Sequence, residues 1–158
     1  MVSFTWTQGI PEGAKIIRST VFVEEQGFAI EDEFDELDGS SWHIVLYEQG
    51  APLATGRLIR ETPTIFHLGR IAVNRASRKK GFGFTLMHLM ERKALSLGAE
   101  QLQLGAQIQA KGFYEKCGFY AVGNEYMDCH VPHIEMVKDL DHSISKEGLP
   151  LPQSEATI

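Results

Sequence analysis

The stretch Arg78-Lys79-Lys80-Gly81-Phe82-Gly83 follows an apolar run at 68–73 and opens a strongly amphipathic segment that ends near Gly98. The order is strand, glycine loop, helix start. A helix N-terminus presents unpaired backbone NH groups and a partial positive charge, so a glycine loop there lets a phosphate approach the main chain. Gly81 and Gly83 remove side chains that would block that approach, while Arg78, Lys79 and Lys80 add charge for a doubly anionic pyrophosphate. The first expectation is therefore an anionic cofactor.

Working outward, the chain divides into alternating elements. Residues 1–6 form a short first strand, and a helix beginning at Pro11 carries Ala14, Ile17 and Val21 at helical spacing. Glu24-Glu25-Gln26-Gly27 ends that helix, which places Glu25 and Gln26 as candidate acceptor-site residues. Residues 31–38 hold six carboxylates in eight positions and read as an exposed loop. Within it Asp35, Glu36 and Asp38 either bind a cationic acceptor or are simply solvated. Residues 42–47 and 53–59 form a hairpin around Gly50, and residues 65–73 supply the next strand.

Phe82, Leu86, Leu89, Met90 and Leu97 mark one face of a helix that Gly98 terminates. Leu102, Leu104, Ala106 and Ile108 alternate with polar residues as a strand, and a short helix follows over 110–117. Residues 119–122 and 134–137 supply two final strands. Beyond residue 140 apolar periodicity stops, so 141–158 reads as a tail that is mobile or covers a neighbour.

The totals narrow the function. A chain of 158 residues fits one domain, here residues 1–140, and 43% apolar with 23% charged residues is an ordinary globular composition. No apolar stretch approaches the roughly 20 residues needed to span a bilayer. The N-terminal residues lack the pattern of a secretion signal, and Cys117 and Cys129 have no CxxC spacing, so a reducing, cytoplasmic setting is expected. A net charge of −6 argues against a nucleic-acid partner and favours an amine. The scattered histidines offer no HExxH pair, so no metal is expected.

Other phosphate binders fall away. Phe84 follows Gly83 where a P-loop needs Lys-Ser/Thr after its glycine, and no GxGxxG opens the chain. The loop instead resembles the RxxGxG signature of the GNAT acyltransferases, the superfamily of acetyl-CoA-dependent N-acetyltransferases. Ala110-Lys111-Gly112-Phe113-Tyr114-Glu115-Lys116-Cys117-Gly118-Phe119 resembles that superfamily's second signature, AxxFYxxxGF. The likeness extends to the ElaA-like and YjcF-like branch through Val21-Phe22-Val23-Glu24-Glu25-Gln26-Gly27, Gly69-Arg70-Ile71-Ala72-Val73, Leu104-Gly105-Ala106-Gln107 and Val131-Pro132-His133-Ile134-Glu135-Met136.

The resemblance implies an α/β domain with a mixed, mostly antiparallel sheet, helices on both faces and a splayed cofactor cleft. It implies acetyl-CoA as co-substrate and acetyl transfer to a primary amine by direct attack in a ternary complex. Backbone NH groups of Ile71, Ala72 and Val73 then meet the acetyl carbonyl and pantetheine, and Arg78, Lys79, Lys80, Gly81, Phe82, Gly83 and Phe84 hold the pyrophosphate. Tyr114 matches the tyrosine that protonates the departing sulfur, a reasonable role for a phenol with pKa near 10. His67 is the sharpest candidate base, six residues before Val73 on the same strand face, where histone-acetylating relatives carry a glutamate. His133 and Glu25 compete for that role. Gln107 stands where many members have an asparagine that bonds the pantetheine arm, and Arg75 where many have proline. The acceptor is a small-molecule or protein amine, and the final strands with Leu149 and Leu151 are a candidate homodimer surface. The rival reading is a catalytically idle acyl-CoA-binding regulatory module.

Overall fold

The computed structural model describes residues 1–140, so the tail at 141–158, with Leu149 and Leu151, lies outside the described residues. Seven strands, β1 (Val2–Gln8), β2 (Trp42–Glu48), β3 (Ala51–Arg60), β4 (Ile65–Val73), β5 (Gln101–Gln107), β6 (Tyr120–Asp128) and β7 (Val131–Asp139), form one sheet in the order β1-β2-β3-β4-β5-β7-β6. Every neighbouring pair is antiparallel except β4 with β5. The expected mixed, mostly antiparallel sheet is present. Among the described residues no helix is long and apolar enough to cross a membrane.

Helices cover both faces. On one lies α3 (Phe82–Ser96), whose Leu86 and Met90 pack against Ile44, Leu58, Phe66, Leu68 and Leu102. Gly56 on β3 lets that helix come close, since a Cβ there would meet the Met90 Sδ at 2.6 Å. On the other face lie α1 (Glu12–Arg18) and the π-helical segment Ser19–Glu25, with Ala14, Ile17, Val21 and Phe22 against Val45 and Ala72. The π turn is closed by the Gln26 amide donating to the Val21 carbonyl, five residues back. Gly27, at φ +80°, then turns the chain away.

Two features of β4 create a cleft. First, β4 pairs with β5 only at Ile65–Gln101, Phe66–Leu102 and His67–Gln103, after which the strands part. Second, β4 carries a bulge: Arg57 opposes Gly69 and Thr55 opposes Ala72, so Gly56 alone faces Arg70 and Ile71. Arg70 takes up the extra residue at φ +51°, a left-handed conformation rarely adopted outside glycine, asparagine and aspartate. The bulge also changes which way side chains face. Phe66 and Leu68 join the α3-side core, whereas Ala72 joins the α1-side core. His67 shares a face with Ala72, and Val73 faces the other way, so the expectation that His67 and Val73 share a strand face is corrected.

Two other expectations are corrected. Residues 31–38 are not wholly an exposed loop: they include the end of α2 (Ile30–Glu33) and most of the 3₁₀ turn Glu36–Gly39, and while Glu31, Asp32 and Glu36 are exposed, Glu33 and Asp38 are only 4% and 5% exposed. The charges of Glu33, Asp35 and Asp38 are matched by arginines that sequence places far away. The last hairpin is also longer than 119–122 and 134–137, because β6 is an edge strand whose nearly complete exposure leaves no apolar alternation to read.

Candidate active site

The parting of β4 and β5 opens a cleft of about 750 Å³. It is bounded by the π-helical segment, the β4 edge, the glycine loop, β5, α4 (Lys111–Lys116) and the β6–β7 hairpin. Among the described residues β4 has no strand partner on that side beyond His67, so the backbone amides that face that edge are left for a ligand. Ile71, Ala72 and Val73 all line the cleft.

At one end stands the N-terminus of α3. Lys79 (φ +63°) and Gly81 (φ +86°) curl the loop, and no side chain caps the first turn of this 15-residue helix. Its orphan NH groups and dipole therefore remain available to an anion. A Cβ added at Gly81 would meet nothing within 4 Å, but one at Gly83 would meet the Phe113 ring at 3.1 Å. The two glycines thus differ: Gly81 provides the turn and open space, while Gly83 admits an aromatic ring from α4. Phe84, about half exposed, packs beside that same Phe113 ring, with centroids 4.8 Å apart. An uncapped helix start beside an unpaired strand edge fits an elongated ligand that carries phosphate at one end and amides along its arm.

Arg78 does not point freely into this space. Its Nε donates to the Val73 carbonyl at 2.9 Å, and its two terminal nitrogens grip both Glu25 oxygens at 2.7 and 2.9 Å. The Arg78 guanidinium beside Glu25 holds that carboxyl below its ordinary range, helped by Arg75 at 3.7 Å. Gln26 is tied to the cofactor side too, accepting from the Gln107 Nε2 at 2.8 Å. The end of the π-helical segment therefore straps the glycine loop to β5. Glu25 and Gln26 line the cleft, as expected, but through bonds to Arg78 and Gln107.

Tyr114 is both core residue and cleft wall. It lies on α4 between Phe113 and Phe119, with ring centroids 5.1 and 6.2 Å away, and is 9% exposed. Burial pushes its hydroxyl well above the ordinary phenol range, so it stays protonated as a donor. His67 lines the cleft on the α1 side, its Nδ1 3.8 Å from Glu61. Burial holds His67 below the ordinary imidazole range against the pull of Glu61, leaving it neutral near pH 7.

Sequence reasoning missed Tyr126 and gave His133 only a competing role. Tyr126 stacks on His133, with centroids 5.8 Å apart, and reaches across to Gly105, where an added Cβ would fall 2.4 Å from its hydroxyl oxygen. His133 Nδ1 lies 2.8 Å from the Val131 carbonyl, and a carbonyl only accepts, so Nδ1 is the donor of that bond. The available signal was the stretch Val131-Pro132-His133-Ile134-Glu135-Met136, which carries part of the family resemblance. Among the described residues no group of three or more His, Cys, Asp or Glu residues could hold a metal ion.

One wall of the cleft, where Asp32, Glu33 and Arg70 line it, is the outer end of an ion network that runs into the core. Arg18, fully buried, donates to Glu33 at 2.9 Å and to the Asp38 carboxylate at 2.7 and 3.1 Å. Arg57 reaches Asp35 at 2.7 Å and Asp38 at 3.0 Å, and Arg70 reaches Glu33 at 3.1 Å and Asp35 at 3.2 Å. Three arginines thus meet three carboxylates. Despite burial, the bonds from Arg18 and Arg57 hold Asp38 down to about 2. Of the suggested cation binders, Asp35 and Asp38 are occupied by arginine, while Glu36 is exposed.

The comparisons agree with this geometry. Residues 12–140 match a family model described as an acetyltransferase (GNAT) domain. YjcF of Bacillus subtilis (strain 168), which bears the name N-acetyltransferase, is 39% identical over 124 residues, covering 78% of this chain and 88% of that protein. A crystal structure described as an N-acetyltransferase from Lactobacillus plantarum superposes with TM-score 0.82 at 28% identity, over 88% of this chain and 98% of that one. Escherichia coli ElaA superposes with TM-score 0.78 at 24% identity, over 88% of this chain and all of that one, a likeness of fold.

Proposed function

The chain belongs to the acetyltransferase (GNAT) family, and from that premise we propose that it transfers the acetyl group of acetyl-CoA to a primary amine by direct attack in a ternary complex. The observation that carries this reading is the single cleft in which an uncapped helix N-terminus, an unpaired strand edge and a buried tyrosine converge.

Each residue has a distinct task. The α3 NH groups, the curled 79–81 backbone and the Lys79 and Lys80 charges hold pyrophosphate, and Arg78 braces the loop through Val73 and Glu25. The backbone amides of the 71–73 stretch that face the open edge, Val73 among them, bind there, and one of them polarises the carbonyl under attack. Gln107 reaches the amide arm of the ligand. His67, kept neutral by its surroundings, takes the proton that the amine loses as its nitrogen bonds to the carbonyl carbon. Tyr114 gives its proton to the sulfur as the carbon–sulfur bond breaks. When bound, acetyl-CoA supplies the activated acyl group. The acceptor approaches from the α1 side, past His67, Tyr126 and His133.

The test is mass-spectrometric detection of acetylated product after incubation with acetyl-CoA and a panel of small amines and lysine peptides. Acetylated product that disappears in Gly81→Asp supports the proposal. CoA binding with no product on any amine would return the chain to the binding-module reading.

A further inference from the structure

We infer that Arg70 is a positioning residue: it clamps the β4 bulge to the acidic segment 32–35 and thereby fixes the open strand edge. This role rests on the acetyl-CoA reading only for its consequence in binding, because the clamp itself is a matter of backbone geometry.

The argument begins with strain. A long side chain at φ +51° is strained where glycine is not, and it persists only where surrounding contacts determine it. Arg70 has such contacts. Its Nε lies 3.1 Å from both the Glu33 carbonyl and the Glu33 carboxylate, and its terminal nitrogen lies 3.2 Å from Asp35 Oδ2 and 3.4 Å from the Asp32 carbonyl. The acceptors are themselves fixed. Glu33 and its carbonyl are held by the fully buried Arg18, and Asp35 by Arg57 on β3, the strand that pairs with the bulge. One end of the clamp is thus anchored in the core and the other in the residue that carries the irregular φ.

The position matters because the bulge lies between the last β4–β5 pair, at His67, and the free edge at 71–73. A regular β4 would restore simple alternation and place His67 and Val73 on one face. The bulge is therefore what directs His67 toward the α1 side while Val73 faces α3. The acidic segment, whose carboxylates look like a trap for a cation, has the opposite task of receiving arginines from three elements.

The experiment compares Arg70→Gly, Arg70→Ala and Arg70→Lys with the wild-type chain by amide hydrogen exchange and CoA titration calorimetry. Glycine tolerates the bulge without the clamp, alanine loses the clamp and keeps the strain, and lysine keeps charge but not the fork. In Arg70→Ala, exchange at Ala72 and Asn74, whose amides face β3, should rise about tenfold or more, while the β2 amides of Val45 and Leu46 keep their protection. CoA should bind about tenfold more weakly, with Arg70→Gly intermediate and Arg70→Lys close to alanine. Unchanged exchange at Ala72 and Asn74 in Arg70→Ala, or equal loss across β2 and β4, would overturn the clamp. If wild type does not bind CoA, the proposed function fails, and the exchange data still decide the clamp.

Discussion

Glu25 and Arg78 form a two-point ion pair, at 2.7 and 2.9 Å, that ties the end of the π-helical segment to the glycine loop 53 residues later. Arg78 also holds the Val73 carbonyl, so one guanidinium joins the helix, the β4 end and the loop. If Arg78 acts as a brace, its loss and that of Glu25 break the same connection. Glu25→Gln and Arg78→Met should each raise the KM for acetyl-CoA several-fold, and the double variant should cost little more than either alone. Steady-state kinetics of the four proteins measures the coupling.

Tyr114 has a hydroxyl kept protonated by burial and a ring packed between Phe113 and Phe119. Tyr114→Phe retains the ring and removes the proton. The expected result is a fall in kcat of about 10²-fold with little change in the KM for acetyl-CoA or in the melting temperature. A fall in melting temperature with kcat preserved would assign the hydroxyl to packing alone.

His67 is held below the ordinary imidazole range, so its base form persists through neutrality and is lost only at lower pH. The acidic limb of kcat, at saturating acceptor, should therefore lie below about pH 6.5. In His67→Gln that limb should vanish while kcat falls about tenfold or more. Retention of the limb in His67→Gln would move the role elsewhere, and His133, which also lines the cleft, is the first residue to substitute.

Asp38 gives a stability prediction with a definite sign. Its folded pKa of about 2 lies below the ordinary 3.8, so it contributes stability above about pH 4 and loses it as pH falls toward 2. The shift corresponds to about 2 kcal/mol. Urea unfolding should show that loss between pH 4 and 2. Asp38→Asn should flatten that part of the curve and cost about 3–5 kcal/mol near pH 7, because Arg18 and Arg57 lose a shared partner.

The strands, the glycine loop and the Tyr114 helix were legible because period and punctuation carry them: alternation at 101–107, the α3 stripe, and glycines at 81, 98 and 118; the mixed sheet and its cleft were expected from the family resemblance alone. Three things were not legible. The acidic segment 31–38 reads as solvated because its partners Arg18, Arg57 and Arg70 lie on other elements, and sequence does not display pairing across such distances. The bulge has no glycine at its strained position, so nothing at Arg70 announces a change of face at His67. Tyr126 sits on an exposed edge strand without alternation, and only the fold brings its hydroxyl over Gly105.

The most direct measurement counts acetylated amine formed per CoA thiol released, for the wild-type chain and for Tyr114→Phe, across the amine panel. One-to-one formation on at least one amine, slowed about 10²-fold in Tyr114→Phe, is the predicted result. Thiol release without acetylated amine, or product formation at the same rate in both proteins, would contradict an acetyl transfer in which Tyr114 is the acid.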